Sequence, residues 1–211
     1  MKREGILVVV SGFSGAGKGT LMKQLLQTYD NYALSISMTT RQPREGEVDG
    51  REYFFSTKEK FEENIRRDGF VEYASYCGNY YGTPKEYVDA QLSAGNDVIL
   101  EIEIQGALKI KEKFPTALLL FVMPPTVAEL EKRLVGRGTE TPEVIAKRLA
   151  RAGEEADGIE SYDYIIINDD LEACTKELHS IISAAHNAPY RNKEFIETMR
   201  QDLKGLMKGE K

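Results

Sequence analysis

The nine residues GFSGAGKGT, Gly12 to Thr20, follow directly on the apolar run ILVVVS and set four glycines around one lysine. Glycine lacks a Cβ, so the backbone can turn where other residues cannot and successive N–H groups can converge on one point. A merely flexible turn has no use for a lysine at a fixed offset. Gly12, Phe13, Ser14, Gly15, Ala16, Gly17 and Lys18 satisfy the first seven positions of the phosphate-binding loop G-x-x-x-x-G-K-[ST]. In that loop backbone N–H groups and a helix N-terminus cradle phosphates while the lysine reaches the outer ones. The flanks agree, because Ile6 to Val10 is a short apolar run rich in β-branched residues, and Leu21, Met22, Leu25, Leu26 and Tyr29 recur at helical spacing. The residue after Lys18 is Gly19, where many such loops carry the Ser or Thr that ligates magnesium, and Thr20 comes one place later. A Mg²⁺ held mostly through its own water is therefore expected, since that ion keeps much of its hydration.

Four further runs read as buried strands: ALSISM from Ala33, DVILEIEI from Asp97, ALLLFVM from Ala117 and YIIIN from Tyr164. Apolar on both faces and separated by helical stretches, they predict a parallel five-stranded sheet flanked by helices, an α/β fold. Ligands on such sheets bind beyond the carboxyl ends of the strands, where the Gly12 loop falls. Two stretches interrupt this core, which is expected over 1–38, 97–123 and 163–211. Residues 39–96, rich in charge, Tyr and Gly with short strands at REYFF and FVEYASY, predict a small mixed lobe. Residues 124–162 predict a helical lid, with Thr126 and Glu129 as a capping box and Pro142 at a first helical position after Thr141. In the tail, Phe195, Met199, Leu203 and Leu206 stand three or four apart, which suggests a terminal helix packed on its own domain or on a second subunit.

A net charge of −6 excludes a broad electrostatic grip on nucleic acid, so any phosphate must be held locally. Cys77 and Cys174 lie far apart in no metal spacing and read as free thiols of a reducing compartment. The start MKREG before ILVVV is too short for a signal peptide and no run reaches membrane-spanning length, so a soluble cytoplasmic protein is expected.

The polar clusters admit two readings each. Arg41 and Arg44 flank Pro43 in a loop, and their guanidinium forks suit a phosphate, although a solvated basic loop would look the same. Glu72 falls in an apolar strand-like run, where an unpaired carboxylate is costly and needs donors. Beside it lie Tyr80, Tyr81 and Thr83, the last of which with Pro84 and Glu86 also matches a helix start with a capping box. Glu101 and Glu103 alternate with apolar residues and so share one face near the carboxyl end of a core strand, facing either solvent, a ligand or a metal-bound water. Arg133, Arg137 and Arg148 form a third basic set, with Arg137 between the glycines of a joint, GRGT.

Taken in order, GFSGAGKGT, SISMTTRQPREGEVDGREYFF, FVEYASYCGNYYGTP, ILEIEIQGA, KRLVGRGTE and INDDL resemble the guanylate kinase family over roughly residues 5 to 185. The resemblance implies a P-loop nucleoside monophosphate kinase core with a GMP-binding lobe and a lid, and the Mg²⁺-dependent conversion of ATP and GMP to ADP and GDP in purine nucleotide metabolism. It implies that Gly12 to Thr20 hold the ATP phosphates, that Asn168 lies near the ATP base, and that Arg41, Arg44, Tyr53 and Tyr81 grip the GMP phosphate. Ser37, Glu72, Thr83 and Glu103 would read guanine; the family usually has Asp where Glu103 stands. Lys18, Arg41 and the lid residues Arg133, Arg137 and Arg148 would supply the cations of transfer. Two other readings are a guanylate-kinase-like binding module that has lost catalysis, which the intact loop opposes, and a kinase of a ribose bisphosphate, which the guanine-reading set disfavours.

Overall fold

The computed structural model describes residues 3–76, 78–136 and 141–207. The chain opens with β1 (Leu7–Gly12) and α1 (Lys18–Thr28), then β2 (Tyr32–Leu34), β3 (Met38–Thr39), β4 (Phe54–Phe55), α2 (Lys58–Arg66), β5 (Phe70–Tyr76), β6 (Asn79–Pro84) and α3 (Lys85–Ala94). It continues through β7 (Asp97–Glu101), α4 (Ile104–Lys113), β8 (Leu118–Met123), α5 (Val127–Gly136), α6 (Pro142–Ala156), β9 (Tyr164–Ile167), α7 (Leu171–Ala185) and α8 (Lys193–Met207).

Five strands form one parallel sheet in the order β2-β7-β1-β8-β9, with β1 at its centre. Its inner strands β1, β7 and β8 read as nearly continuous apolar runs because both faces are covered. At the edges Leu34 of β2 and Tyr164, Ile165 and Ile167 of β9 are exposed, so YIIIN is not the buried strand its composition suggests. Successive side chains leave a strand in opposite directions. Val8 and Val10 enter a cluster with Leu21 and Leu25 of α1 and Leu178 and Ile182 of α7, while Leu7 and Val9 enter another with Val88 of α3 and Ala107 and Ile110 of α4. Leu25 and Leu178 have no exposed surface, so truncating either to Ala costs about 2–5 kcal/mol.

A second sheet, ordered β4-β3-β6-β5, hangs on the same chain; β3 and β4 are parallel, and β6 is antiparallel to both β3 and β5. Helix α2 is capped by Thr57, which accepts from the Lys60 N–H, and it buries Phe61 against the rings of Phe70 and Tyr80 at 4.4 and 5.2 Å between centroids.

Four further sequence expectations change here. ALSISM is not one strand: Tyr32–Leu34 joins the five-stranded sheet, Met38–Thr39 joins the other, and Ser35 to Ser37 carry the chain across. DVILEIEI leaves the sheet at Glu101, because α4 starts at Ile104 with Glu103 as its N-cap, so the two glutamates do not share a strand face. Thr83 caps no helix. It is a β6 residue, and Pro84 occupies the N-cap of α3 with no side-chain cap bond. The stripe of α8 is not packed on the domain either: Phe195, Met199, Leu203 and Leu206 are between 46% and 70% exposed. Thr126 does accept from the Glu129 N–H, and Pro142 holds the first turn of α6 as its sequence indicates. Cys174 is buried and free, and burial pushes its thiol up to about 11; Cys77 lies outside the described residues.

Candidate active site

The loop after β1 is shaped by two glycines that no other residue could replace unchanged. Gly12 has φ +153°, and a Cβ there would lie 2.0 Å from the Val122 carbonyl oxygen of the neighbouring strand. Gly17, with φ +91°, is the N-cap of α1, and a Cβ on it would lie 2.5 Å from Asn168 Nδ2. Gly19 differs: it is already helical, and nothing lies within 4 Å of its would-be Cβ. Close approach of the Val122 backbone explains Gly12, and positive φ with the Asn168 side chain alongside explains Gly17, while the helix itself would tolerate a side chain at Gly19.

The loop curls around the amine of Lys18, which donates to the carbonyls of Gly12 at 2.7 Å and Phe13 at 3.1 Å. Beneath it, Asn168 Nδ2 donates to the Ala16 carbonyl at 2.8 Å. Arg133 Nη2 donates to the Asn168 carbonyl at 2.9 Å, its Nη1 to Ala16 O at 3.4 Å and its Nε to Glu129 at 2.9 Å. Both residues are therefore struts of the loop. Asn168 is only 7% exposed, and its amide and the Arg133 guanidinium both end on the Ala16 carbonyl of the loop.

Arg148 of α6 does reach the loop, donating from Nη1 to Ser14 Oγ at 2.5 Å. Arg137 lies outside the described residues. Loop and helix border a cavity of about 580 Å³ that also meets Lys18, Glu101, Glu103 and Arg151. A second cavity, of about 380 Å³, runs along Gly15, Gly17, Gly19 and Thr20 at the N-terminus of α1 and touches Glu101 as well. Glu101 is thus the carboxylate common to both. No group of three or more His, Cys, Asp and Glu suited to a metal occurs among the described residues. A cation here has one carboxylate and the hydroxyls of Thr20 and Ser14, a donor set that suits Mg²⁺ shared with phosphates and water.

Among the described residues Glu103 makes no hydrogen bond with Glu72 or Thr83. Its side chain is 73% exposed and accepts from Arg151 Nη2 at 2.5 Å, a bond between the start of α4 and α6. Its expected role toward guanine is not formed here, because its position as the N-cap of α4 points it at the helix that carries Arg148.

The other candidate residues gather on the second sheet. The β5–β6 register pairs Glu72 with Thr83 and Ala74 with Tyr81, and β3 pairs Met38 with Gly82 and Thr39 with Tyr81. Ser37, just before β3, therefore lies at the Thr83 end of that pair. Thr83 Oγ1 donates to Glu72 Oε1 at 2.8 Å. Burial pushes the Glu72 carboxyl above the usual carboxylate range, and the Thr83 hydroxyl partly offsets this. Arg41 Nη1 and Nη2 make a bidentate pair with Glu47 at 3.0 and 2.8 Å, and its Cζ lies 5.3 Å from the centre of the Tyr53 ring, itself 6.0 Å from that of Tyr81. The Arg44 side chain is exposed, while its N–H donates to Glu47 at 2.7 Å. None of Arg41, Arg44, Glu72 and Tyr81 borders the 580 Å³ cavity, so the two groups of residues are separate. Sequence reasoning missed Glu47 and Arg151; the signals present were a turn-length spacing from Arg44 and a helical spacing from Arg148.

A glycine-shaped phosphate loop between the central strand and first helix of a five-stranded parallel sheet defines a P-loop α/β protein. The Glu72–Thr83 pair and the arginine–tyrosine cluster add a second polar site on the smaller sheet. The guanylate kinase family model matches residues 4–185. The chain is 48% identical over 202 residues to the guanylate kinase of Caldanaerobacter subterraneus subsp. tengcongensis, covering 96% of this chain and 98% of that one. It is 51% identical over 202 residues to that of Clostridioides difficile, covering 95% and 98%. The crystal structure of guanylate kinase from Anaplasma phagocytophilum superposes with a TM-score of 0.64 at 32% identity over 87% of each chain. This chain belongs to the guanylate kinase family.

Proposed function

We infer that the protein transfers the γ-phosphoryl group of ATP to the phosphate of GMP, giving ADP and GDP. The observation that carries this reading is the pairing of Glu72 with Thr83 beside Arg41, Tyr53 and Tyr81, on the same chain as a phosphate loop. Guanine presents N1–H and N2–H₂ donors beside the O6 acceptor. An ionised Glu72 takes the two donors, and adenine, which reverses that edge, leaves the buried carboxylate unpaired. Sites of this kind reject the wrong partner by roughly 10⁴.

In this reading residues 39–96 form the GMP lobe and 124–162 the lid. The phosphate loop holds the ATP phosphates through its N–H groups and Lys18, with the positive end of α1 behind them. No general base is needed, because the attacking oxygen belongs to an already ionised phosphate. Catalysis is alignment and charge stabilisation in a loose transition state. Lys18 and Arg148 bring cations to the donor side, and Arg41 and Arg44 bring them to the acceptor. Closing the lid joins the two sites and excludes water that would hydrolyse ATP. When bound, Mg²⁺ neutralises phosphate charge, and Glu101 with Thr20 would hold its water shell. A reducing cytoplasm suits the free Cys174 thiol.

The test is ADP formation from ATP and Mg²⁺ with GMP, AMP, CMP, UMP or ribose 1,5-bisphosphate. Fast turnover with GMP alone supports the assignment. Binding of GMP without turnover of any acceptor turns it to a binding module, and preference for the bisphosphate turns it to another kinase.

A further inference from the structure

We propose that Glu47 is a positioning residue for GMP: it holds one edge of the Arg41 guanidinium so that the opposite edge is presented, already oriented, to the nucleotide phosphate. The proposal rests on reading Arg41 as a grip on that phosphate.

A guanidinium carries five N–H groups in a rigid plane. In Arg41 three are assigned to protein acceptors: Nη1 to Glu47 Oε2 at 3.0 Å, Nη2 to Glu47 Oε1 at 2.8 Å, and Nη1 again to the Gln42 carbonyl at 2.8 Å. What remains is the Nε–H and the second Nη2–H, the edge that also has the Tyr81 hydroxyl as a partner, so the nucleotide phosphate would share it with Tyr81. These two are parallel neighbours on one edge, the geometry that matches two oxygens of a phosphate. The face of the same group lies over Tyr53, so the plane is fixed as well as its rotation.

The same carboxylate sets the second arginine. Glu47 Oε2 accepts the Arg44 N–H at 2.7 Å, and the Glu47 N–H donates to the Arg44 carbonyl at 3.1 Å, which closes the turn between them. Glu47 is thus bound to both arginines of the phosphate grip through one carboxyl group. Both partners of the ion pair are largely covered, with side chains 16% and 17% exposed, so the bond is not a loose surface pair. Arg41 holds the Glu47 carboxyl below the usual carboxylate range, so it stays ionised at neutral pH.

Two effects of Glu47 oppose each other. Its charge repels an incoming phosphate, and its bonds remove the rotamer freedom that a long arginine would otherwise lose on binding. Were Glu47 a stand-in for the phosphate, it would occupy the edge the ligand needs, and its removal would tighten GMP. It occupies the other edge, so removal should weaken GMP.

The experiment measures the dissociation constants of GMP and guanosine by calorimetry, with kcat and both KM values, for the wild type, Glu47→Gln, Glu47→Ala, Arg41→Ala and the Glu47→Ala/Arg41→Ala double variant. Expected is a loss of about tenfold in GMP affinity for the Glu47 variants, with guanosine affinity and KM for ATP unchanged. The double variant should be little worse than Arg41→Ala alone, because Glu47 acts through that arginine. GMP affinity in Glu47→Gln equal to or above the wild type, while Arg41→Ala loses it, overturns the proposal and leaves the phosphate grip intact. Parallel loss of guanosine and GMP in the Glu47 variants assigns Glu47 a purely structural role and also overturns it. Undiminished GMP affinity in Arg41→Ala removes the underlying reading of Arg41 itself.

Discussion

Replacing Glu72 by Gln keeps the size of the side chain, removes its charge and puts an amide donor where an oxygen acceptor stood. Thr83 donates to Oε1 at 2.8 Å, so Oε2 and the remaining lone pair of Oε1 are left for the two guanine donors. Glutamine has one uncharged oxygen, so neither guanine donor meets a carboxylate: with its NH₂ donating to the Thr83 hydroxyl a single neutral oxygen serves both donors, and in the other orientation the NH₂ faces one of them. Losing two charge-assisted bonds, each worth about 1.5–3 kcal/mol, puts the deficit at about 3 kcal/mol or more, or about 150-fold in kcat/KM for GMP. KM for ATP should stay near its wild-type value. The variant should nevertheless be at least as stable as the wild type at neutral pH. Burial raises the folded-state pKa of Glu72, so its ionised form penalises the fold fully above that pKa, and the penalty disappears as pH falls toward the unfolded value of about 4.3. Thermal melts should therefore show any Tm advantage of Glu72→Gln at pH 7 shrinking in acid. On the functional side, wild-type KM for GMP should rise as pH falls through the folded pKa, and this limb should be missing in the variant. A kcat/KM for GMP within about threefold of the wild type would refute the role given to Glu72.

Three further outcomes follow from the geometry. Gly19→Ser should fold normally and gain several tenths of a kcal/mol by denaturant melts, since nothing crowds the position and glycine is a poor helix former, whereas Gly17→Ala, strained by φ +91° and a 2.5 Å clash, should lose stability and ATP turnover together. Asn168→Ala frees the Ala16 carbonyl from its 2.8 Å bond and should raise KM for ATP while costing about 1–3 kcal/mol in stability; an unchanged KM would show that the loop needs no strut. Asp97 is 2% exposed and accepts from the Ile6 N–H at 2.7 Å, pairs with His186 at 2.8 Å and accepts from Asn31 at 3.3 Å. Burial lowers the His186 pKa, so its ring is a neutral donor at neutral pH, and Asp97→Ala should cost about 1–3 kcal/mol for each buried donor it leaves unpaired, the Ile6 N–H and the His186 ring N–H, with kcat of the folded fraction unchanged.

The phosphate loop was legible because its demands are local. Glycines at Gly12 and Gly17, a lysine at a fixed offset and the flanking strand and helix all lie within one stretch of chain, and positive φ or close backbone approach is written directly as glycine. The parallel sheet was legible for a related reason: strands covered on both faces leave unbroken apolar runs, as in β1 and β8. The Glu72 cluster was legible as an anomaly, a carboxylate in an apolar strand, yet its partner was not. Thr83 equally matched a helix cap, and only the register of β5 on β6 decided that its hydroxyl meets Glu72.

The remaining features depend on contacts between residues distant in the chain, which no local pattern encodes. The split of ALSISM between two sheets came from which neighbours Tyr32 and Met38 found, Asp97 and Gly82 respectively. Which arginine braces the loop and which reaches the cavity wall was decided by the acceptors around each: Arg133 meets carbonyls of Ala16 and Asn168, while Arg148 on the next helix meets Ser14. Glu103 met Arg151 because α4 begins one residue after it. Sequence by itself determined the phosphate loop, the class of fold and the residue types available for guanine and phosphate. Tertiary structure alone decided the partner of each charged group, because a long side chain's role is set by the nearest acceptor in space and not by its neighbours in the chain.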